Sequence, residues 1–180
     1  MQKREYTINK YEQANYSACR EENMYKIGEK IVYPMHGAGV ISDIEEREIL
    51  GELRQYYVLK IPHGDMKIMI PTDKCEEIGV RDVIDKDDID DVLAILGAPS
   101  TPMPSNWNHR NRENMEKLKT GKISEVAEVV RNLTRVEFTK HLSTGEKKML
   151  TNAKQILSSE LMLSLGIDAE KAEEMITEAI

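Results

Sequence analysis

A proline-rich break, Ala98-Pro99-Ser100-Thr101-Pro102-Met103-Pro104-Ser105, separates two kinds of hydrophobic pattern in this 180-residue chain. Proline fixes its own φ and restricts the residue before it, so the stretch reads as a semi-rigid link. Ahead of it the apolar residues alternate in short runs closed by glycine and proline, which is strand pattern. Behind it they recur every three to four residues, which is helix pattern. A chain divided in this way folds as α+β, with a small sheet domain followed by a helical one.

Residues 24–80 read as four or five short strands. Lys30–Tyr33 ends at Pro34, and His36-Gly37-Ala38-Gly39 reads as a turn. Val40–Ile49 and Arg54–Ile61 are joined by a hairpin at Leu50-Gly51-Glu52. Alternation places Tyr57, Leu59 and Ile61 on one face, with Val58 and Lys60 on the other. After a second turn, His63-Gly64-Asp65, Met66–Ile70 turns Ile68 and Ile70 inward and Lys67 and Met69 outward, and it stops at Pro71. So many short strands predict a strongly bent sheet or a small Tudor/SH3-like barrel. Met66–Ile70 suits an edge strand, because proline is tolerated there. An exposed edge leaves a strand-swapped dimer open beside the monomer.

Asp87–Leu96 predicts a helix at the junction, acidic at its N-terminal end where the helix dipole favours negative charge. After the link, His109–Lys119, Ile123–Phe138, a helix beginning at Ser143 and one capped by Asp168 form a four-helix bundle. Ser143 and Glu146 have the spacing of a capping box. Met149, Leu150, Ala153, Ile156, Leu157 and Leu161 make the buried stripe of the third helix. The expected division is therefore a mobile extension at 1–23, a sheet domain at 24–83, a helix and link at 84–105, and a helical domain at 106–180.

Charge is uneven along the chain. The net charge is −7, yet residues 101–158 hold 11 Lys and Arg against 6 Asp and Glu. Within that basic segment lies Trp107, the only tryptophan, flanked by Asn106 and Asn108 and followed by His109, Arg110 and Arg112. A bulky ring beside cations suits unstacking of nucleic-acid bases while the cations hold phosphates. Lys147, Lys148 and Lys154 extend the basic surface. The plainer alternative is a tryptophan that packs the link onto the bundle. A local excess of this size fits a helper brought to DNA by another protein.

Other chemistries find little support. Cys19 and Cys75 are neither paired in a C-x-x-C nor numerous enough for a disulfide framework, so the expectation is a reduced, cytoplasmic protein without a signal peptide. No cofactor or metal is expected. His36 and His63 fall in glycine turns, and the acidic neighbours of Cys75 disfavour a thiolate, so no enzyme is expected. A Tudor-type module caging a methylated residue with Tyr25, Tyr33, Tyr56 and Tyr57 stays open as a purely protein-binding alternative. The acidic run Asp82–Asp91 reads as a solvated helix start or as a screen against DNA.

Six stretches carry a family resemblance: K-I-G-E-K-I-V-Y-P-M-H-G-A-G-V (26–40), Y-V-L-K-I-P-H-G-D (57–65), G-V-R-D-V (79–83), P-S-N-W-N-H-R (104–110), K-L-K-T-G-K-I-S-E-V-A-E-V-V-R-N-L (117–133) and S-T-G-E-K-K-M-L-T-N-A-K-Q-I-L (143–157). From Met24 onward the chain resembles the CarD/CdnL family of bacterial transcription regulators. The resemblance implies a Tudor-like domain that docks on the RNA polymerase β subunit, and a helical domain that contacts promoter DNA at the upstream edge of the transcription bubble. It implies that Trp107 enters the minor groove there, with Arg110 and Arg112 at basic positions of the motif. It further implies a polymerase face that includes Arg47 and the edge strand Met66, Lys67, Ile68 and Met69. His109 and Asn152 stand where relatives often carry a basic residue, and Met69 where some carry arginine. These departures imply DNA and polymerase contacts distributed differently in this chain.

Overall fold

The computed structural model describes residues 25–49, 51–62 and 66–180. The expected extension 1–23, Cys19, Leu50 of the hairpin and the turn His63-Gly64-Asp65 lie outside the described residues. The sheet half contains β1 (Lys30–Tyr33), β2 (Gly37–Ile49), β3 (Glu52–Lys60), β4 (Lys67–Pro71), a single helical turn α1 (Cys75–Ile78) and β5 (Arg81–Asp82). The helical half contains α2 (Ile89–Gly97), α3 (Trp107–Lys119), α4 (Ile123–Thr139), α5 (Thr144–Leu165) and α6 (Ala169–Ala179). None of the described helices is long and apolar enough to cross a membrane.

The five strands pair antiparallel in the order β4-β3-β2-β1-β5. β4 is therefore an edge, as its proline stop implies. Ile31, Ile41, Tyr57, Leu59, Ile61 and Ile70 form the core of one face, and Tyr25 meets Tyr57 edge-on. The turn before β2 differs from the expectation. It runs through Pro34–His36, closed by His36 N–H donating to the Tyr33 carbonyl at 3.0 Å, and Gly37–Gly39 already belong to β2. The glycines serve close approach. A Cβ on Gly39 would lie 2.7 Å from the Leu59 side chain, and one on Gly37 would lie 2.5 Å from Ser159 Oγ. Val58, expected to face outward, is buried together with Val32 and Ala38, because this second face of the sheet is covered where α5 packs against β2.

The helical core takes Leu118 from α3, Val126, Val130 and Leu133 from α4, Met149, Ala153, Leu157 and Leu161 from α5, and Ala172 and Ile176 from α6. The Ser143–Glu146 capping box and the Asp168 cap are both formed. α2, expected at the junction, contributes Ile89, Val92 and Leu96 to the same core, so the bundle has five helices. The proline-rich stretch, read as a semi-rigid link, is a strap docked along α4. Thr101 N–H donates to Asn132 Oδ1 at 3.3 Å, and Asn132 Nδ2 donates to Thr101 Oγ1 at 2.7 Å. Arg135 donates to the carbonyls of Leu96, Gly97 and Ala98 at 3.3, 3.2 and 2.6 Å.

Candidate nucleic-acid interface

The strap delivers the chain to Asn106, whose side-chain oxygen accepts from His109 N–H at 3.2 Å and caps α3. Trp107 is the first residue of that helix and is 45% exposed. Its Nε1–H donates to Ser143 Oγ at 2.7 Å. Ser143 is itself the N-cap of α5, so the indole lies over the start of a second helix. Gly145 lies against the ring, where a Cβ would make ordinary contact with Trp107 Cζ2 at 3.7 Å. Two helix N-termini thus meet at one pole, each with the positive end of its dipole.

A buried network fixes this arrangement. Ser143 N–H and Oγ–H donate to Glu146 Oε2 at 3.0 and 2.8 Å. Glu146 Oε1 accepts from Arg110 Nε and Nη2 at 2.8 and 2.5 Å. Arg110 Nη1 reaches back to the Pro104 and Ser105 carbonyls at 3.0 and 3.3 Å. Burial pushes the Glu146 carboxyl up, but the Ser143 donors and the Arg110 guanidinium outweigh it and hold the group below its ordinary range. The bonds form a chain from strap to arginine to glutamate to serine to indole. Trp107 is therefore exposed without being free to turn.

This geometry corrects one expected contact. Arg110 is only 8% exposed, and its donors are occupied inside the protein. Its guanidinium holds the tryptophan pole together instead of facing phosphate. Arg131 and Arg135 of the same basic segment also point inward, to the Ile95 carbonyl and the α2 terminus. The segment's charge therefore overstates its basic surface. His109 and Arg112 are exposed, and His109 Nε2 lies 3.3 Å from Glu113 Oε1. Helical spacing sets both of them roughly 140–160° around α3 from Trp107. Lys147 and Lys148, exposed on the first turns of α5, stand next to the indole's anchor, and Lys154 continues the Lys147 face two turns on. None of these three lysines, nor Arg112, has an ion pair among the described residues. Lys140 and His141, exposed just before Ser143, join this surface. No periodicity marks them, because they sit in the α4–α5 turn. Asn152 points the other way, with its Nδ2 3.4 Å from the Met35 carbonyl of the sheet half.

On the sheet, Met66 and Lys67 are exposed and Ile68 and Met69 half-buried along the free edge of β4. Pairing register puts Arg47, Arg54, Lys67 and Met69 on one face and Ile68 on the Tyr57 face. Arg47 lies on the β2–β3 ribbon beyond the end of β4. Its Nη2 is 2.9 Å from Glu45 Oε2, and its cross-strand neighbour Arg54 is 2.7 Å from Glu52. The four tyrosines do not line one cage, although Tyr25 and Tyr57 meet edge-on. Tyr57 is in the core, Tyr56 is buried on the opposite face, and Tyr33 packs on His36 at a centroid distance of 4.6 Å. Burial, then Asp73, pushes the Cys75 thiol up to about 11, which leaves it a poor nucleophile. No group of three or more His, Cys, Asp or Glu side chains among the described residues is arranged to hold a metal ion.

Comparison with known proteins agrees with both halves. Residues 25–84 match the family model described as "CarD-like/TRCF RID domain", and residues 91–177 match "CarD, C-terminal domain". A Bacillus subtilis (strain 168) protein named "Putative transcription factor YdeB" is 44% identical over 144 residues, which span 80% of this chain and 94% of that protein. The Tudor-like sheet half and the helical half each have their counterpart, in order and nearly end to end, and the chain belongs to the CarD family of transcription regulators.

Proposed function

We propose that this protein docks on the RNA polymerase β subunit through its sheet half and stabilises the promoter open complex by wedging Trp107 at the upstream edge of the bubble. The observation that carries this reading is an exposed indole held by a hydrogen bond to the Ser143 cap. A side chain ordered beforehand loses little entropy on binding. Unstacking a base step costs a few kcal/mol, so the ring fits best where melting has already parted the bases. Binding the open form better than the closed form shifts the balance by the difference in affinity. A preference of ~1.4 kcal/mol changes the open-to-closed ratio tenfold.

The phosphate-facing set is Asn106, Lys147, Lys148 and Lys154 on the Trp107 side, with His109 and Arg112 further round α3 and Arg110 as internal support. These contacts need not be tight, because docking on polymerase supplies a high effective concentration. Nor need they read sequence, since the minor groove carries a degenerate code. On the sheet, Arg47 and the outward β4 side chains Lys67 and Met69, with Met66 and Ile68 beside them, form the polymerase face. The test is Trp107→Ala. Polymerase pull-down stays at the wild-type level and the open-complex lifetime shortens toward that of polymerase alone. Equal lifetimes for variant and wild type would remove the wedge and leave a protein-interaction module.

A further inference from the structure

Glu160 is completely buried near the C-terminal end of α5, and a buried carboxylate must be paired. Its partner comes from the other half of the molecule. Arg81 of β5 donates Nη1 and Nη2 to Glu160 Oε1 and Oε2 at 2.6 and 2.9 Å. The same guanidinium donates Nε and Nη2 to the Gly121 carbonyl at 2.9 and 2.6 Å, and Nη1 to the Asp82 carbonyl at 2.9 Å. Ile84 N–H adds a third bond to Glu160, at 3.1 Å. One side chain thus ties the sheet to both α5 and the α3–α4 corner, with every guanidinium donor used.

The surrounding contacts lie on the same stripe of α5. Asn152 bonds the Met35 carbonyl, Ser159 Oγ accepts from Ala38 N–H at 2.8 Å, and the Leu163 carbonyl accepts from Lys30 Nζ at 2.8 Å. Gly121 abuts Pro34 so closely that a Cβ would lie 2.9 Å from the ring. Contacts between domains of one chain ordinarily permit relative motion. Apolar packing alone tolerates sliding, whereas a bidentate arginine–carboxylate pair fixes direction as well as distance. A buried ion pair is a poor source of net stability compared with apolar packing, so its presence calls for another account.

We infer that Arg81 and Glu160 are positioning residues, which hold the tryptophan pole at one distance and orientation from the polymerase-docking sheet. α5 carries both fixtures. Ser143, which anchors the indole, caps its start, and Glu160 lies 17 residues further along, about 25 Å at helical rise. The wedge is useful only if polymerase docking delivers it to the fork, and a loosened seam would scatter it over many positions. This inference rests on the proposed function for its DNA consequence, while the rigidity of the seam is measurable without DNA.

The experiment uses the full chain with Glu160→Ala and Arg81→Lys. In Glu160→Ala the partially exposed Arg81 can turn to water. In Arg81→Lys the charge stays, but an ammonium cannot span both carboxylate oxygens and the Gly121 carbonyl. Expected for Glu160→Ala are wild-type circular dichroism, Trp107 emission and polymerase pull-down. Small-angle scattering should widen from one rigid body to a spread of arrangements, and the open-complex lifetime gain should fall roughly tenfold, a usual size for coupling between two sites. Arg81→Lys should fall between. Unchanged scattering overturns the inference, as does a loosened molecule with a wild-type lifetime. Loss of folding in both variants reduces the pair to a fold-stabilising contact and overturns it too. If Trp107→Ala leaves lifetimes unaltered, the proposed function fails separately, and scattering alone judges the seam.

Discussion

Arg110 shows what a side chain's neighbours in space do to its neighbours in sequence. Beside Trp107 and Arg112 it reads as a phosphate contact, and its residue type does not distinguish it from Arg112. The difference is that Arg110 falls on the α3 stripe with Asn114 and Leu118, the face turned to the bundle, and meets Glu146 from another helix. Glu146 was legible as half of a capping box, because that motif is local. Its second bond, to Arg110, crosses 36 residues and has no sequence signature. The carboxyl's depressed pKa makes a pH prediction. A group whose folded pKa lies below its unfolded value adds stability above the unfolded value, about 4.3 for glutamate, and loses it as pH falls through the folded one. The tryptophan pole should therefore loosen on acidification below about pH 4, read by Trp107 emission. Glu146→Gln should remove much of that pH dependence in the emission. Glu128, whose burial is likewise outweighed by Thr101 and Lys117, titrates in the same acid window. It sits against the strap, so a transition in helix content without a change in emission belongs to Glu128.

Elements were legible wherever their cause was local. The edge position of β4, the Ser143 and Asp168 caps and the α5 stripe all follow from proline stops, capping spacing and 3.6-residue periodicity. The glycine turn was misplaced because Gly37 and Gly39 answer to the Ser159 and Leu59 side chains, partners that lie elsewhere in the chain. α2 was placed outside the bundle because the prolines come after it and look like a border. Its Ile89, Val92 and Leu96 nevertheless complete the core that α4 and α6 begin. At this scale the β2–β3 ribbon makes a prediction. Arg47 is half-exposed and, among the described residues, pairs with Glu45 alone, so Arg47→Glu should change stability by no more than about 0.5 kcal/mol. Polymerase pull-down should be lost while Trp107 emission and helix content stay at wild type. Retained pull-down would move the docking face away from the ribbon.

The whole molecule is acidic, yet exposed Lys140, Lys147 and Lys148 lie beside its Trp107 pole, and the seam at Arg81–Glu160 lies at the far end of the same long helix. Because α2 precedes the strap but belongs to the bundle, a chain break engineered between Met103 and Pro104 should not free the helical half. The two pieces should co-elute on native gel filtration and part only in denaturant. Pieces that separate at once would show that the strap, and not the core, holds α2 in place. The uninterrupted α5 has a mechanical consequence. A rigid rod clamped near one end and tipped with a fixed ring behaves as a lever without a hinge, so under the proposed docking any tilt of the polymerase lobe would be passed to the DNA fork instead of being absorbed within this protein.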